Sequence, residues 1–173
     1  DNIKIQKKST VYGVQFVLLG LESQEHIHYA MPLRVMGYDY ATYKKQYDSL
    51  TRQYKEHKTD MDEHEFLSRM KKTDRLTPVI SVVIYYGEKV WDAATSLYGI
   101  LNIPTEMASY VNDYRMLLVE ARQNDLYFHN GSNRDLFNLF KILLDQNNSI
   151  RDKKEKAIEY TKEHEVSDTI LKT

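Results

Sequence analysis

The stretch Phe16-Val17-Leu18-Leu19-Gly20-Leu21-Glu22-Ser23-Gln24 is apolar or glycine as far as Leu21 and turns polar within one residue. An apolar run of this length with a polar exit predicts a buried strand. Charge at the edge of a core is costly to place, so a strand delivering a carboxylate and an amide at its end makes Glu22 a candidate metal ligand. The plain alternative is a strand end at which Glu22 simply reaches solvent.

Upstream, residues 2–6 alternate polar and apolar, as a half-buried strand does. Lys7, Lys8, Ser9 and Thr10 form a polar bend, and Tyr12 to Leu21 carries the chain back. The expectation is a hairpin whose second arm ends at Glu22. Antiparallel arms bring Asp1 and Glu22 to the same edge of the sheet. Two carboxylates there, with the Ser23 backbone carbonyl, would suit Mg²⁺ or Mn²⁺, which prefer hard oxygen ligands. Such an ion activates water for in-line attack on a phosphodiester. Gln24 would point to the same side as Glu22 and could orient water or a phosphate oxygen, although it is no base.

Downstream, Pro32 stands at a plausible first helical position. Leu33, Met36, Tyr40, Tyr43, Tyr47, Leu50 and Tyr54 then recur at spacings of three and four, predicting one helix to about Lys58 with these residues as its core stripe. The regularity also suits a homodimer seam. Gly37 inside the helix costs about 1 kcal/mol against Ala, which suggests close approach of another backbone. Lys44, Lys45 and Arg52 read as its exposed face. Asp60 and Glu63 have capping-box spacing for a short helix through Met70. Val79 to Tyr86, nearly all apolar, predicts a central strand covered on both faces. Short helical pieces are expected near Ser96–Leu101 and Glu106–Tyr110, then a strand from Tyr114 to Glu120. An amphipathic helix entered through Ser132 and Asp135 follows. A charged helix from Asp152 to His164 ends the series, with Ala157, Ile158 and Tyr160 as its contacts. The order predicts an α/β fold, a mixed central β-sheet flanked by helices, with residues 1–122 as core and 123–173 as a helical segment packed on it or extending from it.

Composition narrows the chemistry. The 173 residues suffice for one domain with a real core. Cysteine is absent, which removes disulfides, thiolate nucleophiles and cysteine zinc sites, and fits a reducing cytoplasm. No apolar run approaches a membrane span. There is no Gly-rich phosphate loop, no G-x-S-x-G elbow and no H-E-x-x-H helix. The net charge of −1 counts against a whole-surface DNA binder while permitting a local patch. His26 and His28, without a third ligand, read as loop residues, with His28 a candidate phosphate contact.

The run from Leu18 to Asp39 resembles the Rpn family of recombination-promoting nucleases (YhgA-like transposases) in the PD-(D/E)XK nuclease superfamily. The family's strand ends in Glu-x-Gln and is followed by a Met-Pro-x-Arg-x-x-x-Tyr helix start, here Glu22, Gln24, Met31, Pro32, Arg34 and Tyr38. Thr77 to Gly87, Trp91-Asp92 and Asp113 to Leu118 are also similar, so the likeness covers about residues 1–120. The resemblance implies a PD-(D/E)XK core and a Mg²⁺-dependent DNA endonuclease linked to recombination or transposition. It places Asp1 as the metal-binding Asp, Glu22 as the second acid and Gln24 where the superfamily usually has Lys. Arg34 and Tyr38 match the auxiliary pair near the scissile phosphate. Gln24 removes a cation that would stabilise the transition state. The chain also opens on Asp1 without a methionine and reads as an excerpt, with the family's upstream helix missing. The rival expectation is therefore a catalytically degenerate domain that binds DNA or a protein.

Overall fold

The computed structural model describes the backbone of residues 2–7, 17–56, 61–122, 126–164 and 166, and the side chains from Ser23 onward within those ranges except Glu56. The chain is mixed α/β. Strands β1 (Asn2–Lys7) and β2 (Val17–Gln24) lead to helices α1 (Met31–Glu56) and α2 (Glu63–Ser68). Strand β3 (Val79–Tyr85), two 3₁₀ segments (Tyr98–Ile100 and Thr105–Tyr110), β4 (Leu117–Glu120), α3 (Gly131–Leu143) and α4 (Ile150–Glu163) follow. The sheet order is β1-β2-β3-β4. β1 and β2 are antiparallel, with Asn2 opposite Glu22 and Lys7 opposite Val17. β2, β3 and β4 run parallel, and their C-terminal ends are joined by Tyr86 N–H to the Gln24 carbonyl (3.0 Å) and Ala121 N–H to the Tyr85 carbonyl (2.8 Å). Parallel neighbours need crossovers, which α1 with α2, and then the 3₁₀ segments, supply. The bend over residues 8–16 lies outside the described residues.

Two compact units divide the chain. Unit 1 holds residues 1–22, 30–82 and 94–116, and unit 2 holds 23–29, 83–93 and 117–173. In unit 1, α1 buries Met31, Pro32, Val35, Asp39 and Thr42. That stripe, not the one through Leu33 and the tyrosines, is the core face: Leu33 is 50% and Tyr40 66% exposed. The reason is the polar handle of tyrosine. Tyr43 Oη accepts from Val79 N–H (3.0 Å), Tyr47 Oη donates to the Ser68 carbonyl (2.7 Å), and Tyr54 Oη donates to the Asp74 carboxylate (2.6 Å). Half-buried tyrosines thus tie α1 to the segments leading into β3. Gln46 clamps the same approach, donating to the Thr77 carbonyl (3.0 Å) and accepting from its N–H (2.7 Å). Gly37 is exposed, and a Cβ there would meet no atom within 4 Å, so the expected backbone approach is absent among the described residues.

Helix entry also departs from the spacing argument. The α2 capping box is Asp62 with Glu65, two residues beyond Asp60 and Glu63, and Arg69 closes the helix at φ 56°. In unit 2, Asn130 caps α3, while Asp135 is buried and accepts from Tyr160 Oη (3.0 Å). Asn138 Nδ2 donates to the same hydroxyl (2.8 Å), so Tyr160 is the polar bolt between α3 and α4. Ser149 and Asp152 form the α4 capping box. Ile158, expected as a contact, is 53% exposed. Of the expected third strand only Leu117–Glu120 is strand, with Arg115 in an isolated bridge to Ser96.

Candidate functional site

β2 is the second strand of the sheet and ends at Gln24. The hairpin register sets Asn2, the residue after Asp1, across from Glu22. Asp1 and the side chain of Glu22 lie outside the described residues. The donor set of two carboxylates and the Ser23 carbonyl is chemically fitted to Mg²⁺ or Mn²⁺. Among the described residues no group of three His, Asp or Glu side chains could hold a metal ion. Ser23 is exposed, and Gln24 is half-buried with its carbonyl engaged by Tyr86.

Arg34 and Tyr38 stand one turn apart in the first turns of α1, within unit 1. The spacing of four puts them on one flank. Arg34 Nη2 donates to Tyr38 Oη at 2.8 Å and its guanidinium lies 5.7 Å from the ring centroid. The pair is therefore held together as the sequence pattern implied. A guanidinium is planar and carries its N–H groups in a fork, the geometry that suits phosphate oxygens.

Residues 25–29 run from the end of β2 along a cavity of about 710 Å³ in unit 2, lined by Glu25, His26, Tyr29, Tyr86, Gly87 and Asp92 among others. Gly87 is required there: a Cβ would overlap the Glu25 carbonyl oxygen and the Tyr85 ring. Tyr85 is buried edge-on against Trp91 with centroids 5.1 Å apart, and burial raises its hydroxyl pKa. Trp91 N–H donates to Glu120 Oε2 (3.2 Å) and its Nε1 to the Ala93 carbonyl (2.9 Å). His28 is half-buried, and its Nδ1 is enclosed with no hydrogen-bond partner among the described residues.

Two features escaped the sequence. The cavity joins residues 25–29 to 85–92, which no local pattern links. Asp39 was hidden because a lone acid on an amphipathic helix normally faces water. Its signal was position: it falls on the Met31, Val35, Thr42 face. Comparison of the chain with protein-family models, with curated proteins and with solved structures finds no match.

Proposed function

We propose that the protein is a metal-dependent DNA endonuclease of the PD-(D/E)XK type, with its site at the exit of β2. The reading rests on the resemblance of residues 18–39 and is supported by one structural observation: the register sets Asn2 opposite Glu22. Asp1 and Glu22 would hold Mg²⁺ or Mn²⁺ with the Ser23 carbonyl. When bound, that ion supplies Lewis-acid activation of water and of the phosphodiester. Gln24 would position the attacking water through its amide, and Arg34, steadied by Tyr38, would take a phosphate oxygen, with His28 as a further phosphate contact. The association with recombination or transposition comes from the resemblance as well.

Plasmid nicking in Mg²⁺ tests the site. Glu22→Ala should lose more than the roughly 10–100-fold that disturbing even the outer partners of a metal ligand costs. Equal cleavage by both proteins would refute the assignment. A non-catalytic DNA- or protein-binding domain is the second reading, favoured by the uncharged Gln24 and the net charge of −1. It expects no heat of Mg²⁺ or Mn²⁺ binding in calorimetry and a DNA affinity indifferent to Glu22→Gln.

A further inference from the structure

The unit 2 cavity has a chemistry of its own. Its volume, about 710 Å³, falls within the roughly 300–1,000 Å³ typical of small-molecule sites. Tyr29 and Tyr86 supply aromatic wall with the buried Tyr85 behind them, and Ile27 and Leu144 supply apolar wall. Among the lining residues, Glu25, Glu88 and Asp92 bring three carboxylates against the one ammonium of Lys89, with His26 and the tyrosine hydroxyls as the other titratable groups.

The wall is held from behind. Tyr86 stacks on Phe140, with centroids 6.0 Å apart and planes 17° from parallel. Tyr85 is fixed against Trp91. The Glu88 carbonyl accepts from Arg122 Nη1 (2.7 Å) and from Gln146 Nε2. The Arg122 guanidinium behind the wall lies 3.6 Å from the Glu120 carboxylate, which offsets its charge and leaves the lining residues to set the sign of the cavity. Gly87 lets the loop approach the Glu25 carbonyl more closely than any other residue would allow. Rings and loop are thus preorganised, which lowers the ordering cost of binding.

We propose that this cavity binds a small organic cation, a protonated or quaternary amine. Ring faces attract a cation through their quadrupole, and carboxylates accept hydrogen bonds from N–H donors. The same carboxylates repel phosphate groups, so the cavity is not a place for the DNA backbone, and the proposal stands apart from the nuclease reading. Tyr29 at 65% exposure is the accessible ring at the mouth.

Calorimetry of the whole chain with choline and with spermidine tests this. Saturable one-to-one binding of either amine is expected, weakening as salt is added. Tyr29→Ala and Asp92→Asn, both at exposed positions, should each weaken it by roughly three- to thirtyfold, with the circular dichroism spectrum unchanged. Inorganic phosphate should give no heat. The proposal is overturned if neither amine binds at millimolar concentration, if both variants bind as the parent does, or if phosphate binds in preference.

Discussion

Asp39 brings a carboxylate to 5% exposure in unit 1, where it accepts from the Ser81 and Tyr114 hydroxyls. A buried carboxylate is tolerable only while such donors satisfy it. Burial, and then the hydrogen bond to Asp39, holds the Tyr114 hydroxyl pKa far above the ordinary range for tyrosine. Tyr114→Phe removes one of the two hydroxyl donors that Asp39 has among the described residues. It should destabilise the protein by about 1.5–3 kcal/mol, the usual worth of a hydrogen bond to a charged group, read from the urea midpoint. Gly87 poses a steric problem instead. Gly87→Ala must displace the Glu25 carbonyl or the Tyr85 ring and should cost about 1–3 kcal/mol as an overpacked site. A parent-like melting curve would show that the loop yields.

At the scale of elements, α1 carries two different stripes on one cylinder. The tyrosine stripe is the more regular in sequence, yet the core takes Met31, Val35, Asp39 and Thr42. Tyrosines at Tyr43, Tyr47 and Tyr54 sit on the flank because each hydroxyl finds a partner on the stretch from the end of α2 to the start of β3. Gly37 is the weak point of this helix, since it is exposed and has nothing to accommodate. Gly37→Ala should therefore stabilise the protein by about 0.5–1 kcal/mol through reduced backbone entropy in the unfolded chain. A destabilised variant in urea titration would reveal a close neighbour.

Across the whole molecule, the 14 tyrosines make alkaline pH the informative axis. Among the described residues four are shifted upward: Tyr54, to about 12, by its hydrogen bond to Asp74; and Tyr85, Tyr114 and Tyr160, chiefly by burial. A hydroxyl whose folded pKa lies above its unfolded value of about 10 favours the fold most below that value and loses its contribution as pH rises. Stability should therefore fall from about pH 10 upward. Absorbance of the phenolate during an alkaline titration should show a delayed fraction that disappears in denaturant. A single ordinary transition in the folded protein would contradict these environments.

Reading along the chain was enough for what depends on neighbours in sequence. The hydrophobic periods placed α1 and β3, the Glu-x-Gln exit placed the end of β2, and the spacing of four joined Arg34 to Tyr38. It failed where the outcome depends on partners distant in sequence. Capping moved by two residues at α2, because Asp62 and Glu65 form a reciprocal pair and the cap goes to whichever residues complete both hydrogen bonds. The choice of core stripe on α1, the burial of Asp39 and the cavity around Gly87 were decided only in three dimensions. Each depends on which donors and surfaces β3, Tyr114 and residues 25–29 present, and a one-dimensional pattern records a side chain's period but not its partner.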